Sequence, residues 1–490
     1  MPQVSIKILN CHAQISGLDD QGIIDALGRA LSYIQSNSRY SFAVKMGHWD
    51  GRVRLLNRHL QFPAGLVEDV RSILAGFGIA PVVEDMRESL QVTAKMAWRG
   101  HPLRDYQEKA IERAVDAGRG TVKMATGAGK TTVISALCGA YNTQTVVYVV
   151  SLDLLTQVKD TIESCLGIEA GLVGGGNCSI KQVTVCSVWS AAAAYNTKNE
   201  GDSEEDVAED KWKPSDEQKR NIREMVEGAR LVILDESQFA AAASIQAIMR
   251  NSKSASNRFG FSGTPWRSDG ADILLTAAFG NSIVDIRASD LIDLGWLVEP
   301  RIAFRDVPPD YKLPKKWADV KKTYIVENEA RNQMLIDNTN KLLELGRKPL
   351  LLFRDIKHGR ALESMLPPDV RYEMVTGALS MDEREEIKAR FKRGELDLVL
   401  ASSVFDQGID LPALDALVLA GGGKSTAKAL QRVGRVIRSA KGKTDALVVE
   451  TWDQCHFVKK HSSSRYDAYR LETRFKISAG PDMQASIGKK

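Results

Sequence analysis

Beyond residue 102 the chain alternates short apolar runs with stretches in which apolar residues recur at helical spacing. The runs TVVYVV at 145–150, LVIL at 231–234, PLLLF at 349–353, LDLVL at 396–400 and ALVL at 416–419 suit strands buried on both faces of a parallel sheet, with helices packed on each side. They fall into two series separated by residues 288–309, which predicts two α/β lobes joined near Pro300. The first hundred residues differ: helical patterns over 22–34 and 65–76, with a basic and aromatic stretch between them, predict a small α+β module. The expected boundaries are therefore 1–100, 101–287 and 288–490.

A chain of 490 residues, 43% hydrophobic and 26% charged, holds ample apolar sequence for more than one core and excludes disulfide miniproteins, fibrous chains and wholesale disorder. Its formal charge of +4 leans only mildly toward anionic partners, so local clusters must carry that argument. The six cysteines, at 11, 138, 165, 178, 186 and 455, form no CxxC pair and read as reduced core thiols in a cytosolic setting. The amino terminus lacks a basic start with an apolar stretch behind it, and no window approaches 18 uninterrupted apolar residues. The expectation is a protein neither exported nor membrane-spanning, in a host cytoplasm if viral.

Residues 121–132 read TVKMATGAGKTT, a β-type run, a glycine-rich turn and the start of an apolar helix. Gly127 and Gly129 let backbone amides curl round an oxyanion, Lys130 reaches the β and γ phosphates, and the Thr131 hydroxyl ligates magnesium. Met124 replaces the first glycine of the general phosphate-loop pattern. At 231–238, LVILDESQ ends an apolar strand in two carboxylates, with Asp235 suited to hold the metal and Glu236 to act as general base. Arg432, Arg435 and Arg438 recur every three residues and would share one helix face. That face is either solvated or a source of arginine fingers, with Arg435 and Arg438 reaching the γ phosphate.

These segments, with LRDYQ at 103–107, VVSLDLLTQ at 149–157, FSGTPWR at 261–267, SSVFDQGIDLP at 402–412 and QRVGRVIR at 431–438, resemble the ordered motif set of superfamily 2 helicases. GHWDGRVRLLNRHLQFPAGLV at 47–67 and ASDLIDLGWLVEPRI at 288–302 resemble the UvsW-type branch-migration helicases of tailed phages, which are related to RecG-like and XPB-like motors. The resemblance implies two RecA-like parallel-sheet lobes using ATP and Mg2+. Arg104 and Gln107 would then read adenine. Thr126, Gly127, Ala128, Gly129, Lys130, Thr131 and Thr132 would hold the phosphates, and Gly408 and Asp410 would sense the nucleotide. Ser262, Gly263, Thr264 and Gln431 would couple hydrolysis to lobe movement, as would Gln238, which stands where the family commonly has His. Ser151, Gln157, Ser187, Trp189, Arg354 and Thr376 lie where the family touches the nucleic-acid backbone.

The amino-terminal module makes its own case. Arg39, Lys45, Arg52, Arg54 and Arg58 stand against the single acid Asp50 over residues 39–58, interleaved with Tyr40, Phe42 and Trp49. These are ingredients of a nucleic-acid surface, with Arg52, Arg54, Arg58 and Trp49 as contacts, or else core aromatics beneath a solvated basic hairpin. The seven acids within 200–210 suit a solvated insertion, or else a partner-binding or DNA-mimicking flap. Lys459, Lys460, Arg465, Arg470 and Arg474 in the tail either dock on the second lobe or extend a DNA track. The favoured function is an ATP-driven motor remodelling forks, displacement loops and four-way junctions, with branched DNA as partner. A duplex translocase that leaves strands paired, an RNA or RNA–DNA helicase and a non-catalytic scaffold are the alternatives.

Overall fold

The computed structural model describes residues 3–35, 38–92, 98–196, 212–263, 272–308, 314, 316–402, 411, 413–481 and 483–484. Thr264, Gly408, Asp410 and the acidic run at 200–210 lie outside these residues. Contacts divide the chain into two compact units, one of Met1–Met124 with Gly129–Asp285 and one of Ala125–Ala128 with Ile286–Lys490. Among the described residues no helix is long and apolar enough to cross a membrane.

In the first unit the apolar runs become strands because burial on both faces favours apolar side chains at nearly every position. Thr145–Val149 and Leu231–Asp235 are buried at all five positions. The eight-stranded sheet runs in the order Asn177–Ser179, Gly171–Gly174, Val183–Ser187, Thr145–Val149, Leu231–Asp235, Asn257–Ser262, Arg119–Met124, Ser282–Ile286. From Gly171–Gly174 through Arg119–Met124 its neighbours are parallel. Their carboxyl ends therefore share one edge, where ligands of open α/β sheets bind.

The amino-terminal module has its own four-stranded sheet and core. The helical pattern expected over 22–34 stops early: the helix is Gln21–Ala30, and Ser32–Ile34 pairs antiparallel with Arg52–Arg54. Leu31 closes the helix, its amide donating to the Leu27 carbonyl, and the apolar spacing beyond it belongs to the short strand. The module's core takes in Ala277 of the helix Asp272–Phe279. Gly65 permits that approach, since a Cβ there would fall 2.0 Å from the Thr276 carbonyl oxygen. Arg119 and Asn10 also join the two parts of this unit, through Nη2 donating to the Asn10 carbonyl at 2.7 Å.

The second unit holds a seven-stranded sheet, in the order Tyr372–Val375, Leu398–Ala401, Pro349–Leu352, Ala416–Leu419, Asp445–Trp452, Glu299–Asp306, Lys476–Ser478. Pro300, expected at the junction between lobes, instead lies inside the strand Glu299–Asp306, and the units divide at Asp285 and Ile286. The sheet tolerates a proline there because Lys476–Ser478 pairs only with Arg301–Ala303, leaving one side of Pro300 without a ladder partner.

The tail docks on this unit. Arg465 is buried against Glu450 at 3.0 Å, and Arg474 lies 3.1 Å from Asp293. A second buried pair, Arg331 with Asp453 at 3.0 Å, ties the helix Glu329–Glu344 to the sheet. Burial works to raise the Asp453 carboxyl pKa, but Arg331 and Arg465 together hold it low. Both arginines have spare donors, which go to the segment ahead of the arginine-bearing helix: Arg331 Nη1 to the Ala420 carbonyl and Arg465 Nη1 to that of Gly423, each at 2.8 Å.

Candidate active site

The strand Arg119–Met124 runs into the phosphate loop, and the loop into the helix Lys130–Tyr141. Gly127 and Gly129 have φ of +89° and +77°, a region that glycine enters without steric cost. Gly129 is also the cap of the helix, so Lys130, Thr131 and Thr132 form its first turn; the Thr132 amide donates to the Gly129 carbonyl at 3.1 Å, and those of Lys130 and Thr131 head the helix where an anion binds. A side chain at 129 would collide with Gln107, whose Nε2 would be 2.5 Å from a Cβ. Gln107 is buried and oriented through Oε1, which accepts the Arg104 amide at 3.0 Å. Arg104 in turn donates to the Tyr106 hydroxyl at 2.8 Å. The structure thus brings the residues expected to read adenine beside the phosphate loop.

One strand further from the loop than Asn257–Ser262, the strand Leu231–Asp235 delivers the carboxylates to the same edge. Asp235 is buried and accepts the Glu236 amide at 2.9 Å. Burial, and then the Glu236 carboxylate, raise the Asp235 pKa, while the Lys130 ammonium pulls it down. A buried carboxylate beside a second one is a setting that a divalent cation relieves. Glu236 has φ +57°, a conformation that non-glycine residues hold at a cost of order 1–3 kcal/mol and that recurs at functional sites.

Gln238 joins the carboxylates to the next strand. Its Nε2 donates to Glu236 Oε2 at 2.7 Å and its Oε1 accepts the Ser262 hydroxyl at 2.5 Å. An amide can donate and accept at once, so glutamine links both neighbours without a change of protonation. Gln238→Ala is expected to leave nucleotide affinity within a few-fold and to lower stimulated ATP turnover by roughly tenfold, about 1.4 kcal/mol of barrier. Steady-state turnover with and without nucleic acid measures it, and unchanged stimulation would remove Gln238 from the coupling path.

Ser187 ends the strand Val183–Ser187 and Ser151 lies just beyond Thr145–Val149 at this edge, but both are buried, and Ser151 accepts the Leu154 amide as a helix cap. Trp189 is half-buried, its indole donating to the Val150 carbonyl at 3.1 Å, while Gln157 is exposed. In the second unit Arg354 and Thr376 are half-buried just beyond the strands Pro349–Leu352 and Tyr372–Val375.

Gln431, Arg432 and Arg435 lie on the helix Thr426–Val436. Arg438 does not share its face as the three-residue spacing predicts: the helix stops at Val436, and Arg438 forms an isolated antiparallel bridge with Leu297. The Ile437 carbonyl accepts the Val298 amide at 2.8 Å, so pairing to residues 297–298 replaces the next helical turn. Within this unit Gly434 meets Thr126 of the phosphate loop, where a Cβ would fall 2.5 Å from the threonine Cβ.

Sequence reasoning missed Arg331, whose buried guanidinium fixes the segment ahead of that helix; a lone arginine in a polar helix gives no signal of burial.

The family model described as type III restriction enzyme, res subunit, matches residues 100–267, and that of the helicase conserved C-terminal domain matches residues 331–440. The chain is 26% identical to the DNA 3'-5' translocase XPB2 of Sulfurisphaera tokodaii, over 71% of this chain and 81% of that protein. It is 24% identical to the ATP-dependent DNA helicase uvsW of Enterobacteria phage T4, over 89% of this chain and 88% of that one. The ATP-dependent type ISP restriction-modification enzyme LlaBIII bound to DNA shares the fold, with a TM-score of 0.54 at 15% identity over 78% of this chain and 32% of that one. Because the two family models follow one another in the order in which the nucleotide and arginine motifs occur, this chain belongs to the ATP-hydrolysing superfamily 2 helicases.

Proposed function

We propose that this helicase is a DNA motor that remodels branched DNA, including forks, displacement loops and four-way junctions, by branch migration in phage replication, recombination and repair. The observation that carries the reading is the face of the amino-terminal module. Arg52 and Arg54 project from the strand Arg52–Arg54 at its two exposed positions, and Arg58 is exposed beyond it. Tyr40, Phe42 and Met46 stand 64%, 75% and 56% exposed, a composition for gripping nucleic acid and an unfavourable one for a face meeting only water. Trp49 is half-buried, its indole donating to the Arg52 carbonyl at 2.9 Å. Arg54 is paired with Asp50, an exposed pair that a phosphate can outcompete. Similarity to the T4 helicase spans 89% of the chain, against 71% for the archaeal translocase, so it extends beyond the motor lobes.

In this reading Lys130 and the first-turn amides hold the phosphates, Glu236 orients the attacking water and takes its proton, and Arg435 and Arg438 offset charge on the transferring phosphoryl group. Thr131 and Asp235 would hold Mg2+, which supplies further neutralisation of the phosphates.

ATPase stimulation compared across single-stranded, duplex, forked and four-way DNA, with RNA alongside, tests the proposal; the greatest stimulation should come from branched DNA. The relative named as a translocase supports a second reading, movement along duplex without strand separation. Strand displacement on a forked duplex distinguishes the two. Neutralising Arg52, Arg54 and Arg58 together should weaken branched-DNA binding and flatten its logarithmic salt dependence by up to about three. Basal ATPase should persist while junction migration falls. A folded triple variant with the parent's salt slope and migration rate would return residues 39–58 to a solvated hairpin.

A further inference from the structure

Trp317 and Phe457 are 38% and 36% exposed, yet both are built into a fixed place. The turn Trp317–Asp319 runs directly into a π-helix at Val320–Val326, a rare conformation found frequently at functional sites. Phe457 and His461 are one turn apart on the helix His456–Tyr469. Beneath them Val320, Tyr324 and Ile325 share a core with Val307, Cys455 and Val458, and the Tyr324 hydroxyl accepts the Gln454 amide at 2.8 Å. On this base the Trp317 ring meets Phe457 at 6.2 Å and His461 at 5.6 Å, edge-on in both cases.

The surroundings are cationic. Lys316, Lys322, Lys424 and Lys460 are exposed, and Lys321 lies 3.6 Å from Asp355. The acids of residues 316–327 are Asp319 and Glu327. Burial lowers the His461 pKa to about 4, helped by Arg465, Lys424 and Arg354 and opposed by Asp453. The ring is therefore uncharged at neutral pH, and Lys424 and Arg354 are close enough to act on it. Flat neutral rings bordered by lysines match a single strand, whose unpaired bases offer faces for stacking while its phosphates meet the cations. Duplex bases are already stacked on one another and offer no such faces.

We propose that Trp317, Phe457 and His461, with Lys316, Lys322, Lys424 and Lys460, form a surface for single-stranded DNA on which unpaired bases stack. The proposal rests on the reading of the chain as a DNA motor, and gives its carboxyl-terminal unit a grip specific for the strand that is not paired.

The test is fluorescence anisotropy of the full chain with a labelled oligothymidylate and with a blunt duplex of equal length. Trp317→Ala with Phe457→Ala should weaken oligothymidylate binding about tenfold or more and duplex binding by less than about twofold. Trp317→Phe, which keeps a ring, should stay near the parent. Replacing Lys316, Lys322 and Lys460 by Ala should lower the oligothymidylate salt slope by about two, and this arm carries the test if the double variant does not fold. A folded double variant that binds oligothymidylate like the parent, or that loses duplex affinity equally, overturns the stacking surface and leaves the DNA-motor reading intact. A lysine variant with the parent's slope overturns it likewise. A parent chain that binds no DNA at all overturns that reading, and this surface with it.

Discussion

Lys130→Ala is expected to lower ATP turnover by at least about 10²–10³-fold, the scale on which loss of one preorganised charge-stabilising group acts. Lys130 opens the helix Lys130–Tyr141, where a cation opposes the helix dipole and contributes nothing to a core. Alanine is the best helix former, so the fold should be retained and the melting temperature should not fall. The variant also loses the ammonium that pulls down the Asp235 pKa, which leaves that carboxyl more readily protonated. Glu236→Gln should act differently at the same edge. It keeps the side chain's shape and removes the base, so ATP should bind while hydrolysis falls by about 10²–10⁴-fold. Single-turnover hydrolysis with a parallel nucleotide-binding measurement reads both, and normal turnover in either variant would sink the assignment.

Arg435→Ala and Arg438→Ala should each keep much of the ATP affinity and lose nucleic-acid-stimulated hydrolysis by up to roughly 10³-fold or more. The two arginines are presented differently, one on the helix Thr426–Val436 and the other beyond its end on the bridge to Leu297. The bridge is backbone pairing, so Arg438→Ala removes the charge without removing the pairing that replaced the last helical turn. Gly434 lies beside Thr126, which belongs to the same unit. Turnover per bound ATP, with and without DNA, is the measurement. Lost ATP binding with normal residual turnover per bound nucleotide would show that these arginines are not transition-state groups.

Much of the geometry of the candidate nucleotide site was legible in the sequence because its determinants are local. A phosphate loop is a strand, glycines at positive φ and a helix start, and TVKMATGAGKTT carries all three in consecutive residues. LVILDESQ likewise announces a buried strand ending in carboxylates, and burial of all five residues of Leu231–Asp235 follows from that apolar run. Periodicity also gave the alternation of strands and helices, since a strand buried on both faces is apolar over nearly its whole length. Pairing across the sheet is not written this way. The bond from Ser262 to Gln238 depends on two strands being neighbours in register, which no local pattern specifies. Arginine spacing suggested one helix face for 432, 435 and 438, but a backbone bridge to Leu297 ended the helix first. Gly65 looked like the start of a helix, and only packing against Thr276 gave its missing side chain a purpose. Trp317 and His461 came from distant segments that a shared core brought together. The sequence by itself determined the apolar strands and the glycine turn that runs into the helix Lys130–Tyr141, because backbone preference and burial act over a few residues. Tertiary structure alone decided which side chains meet, because that depends on strand order and close packing between distant parts of the chain.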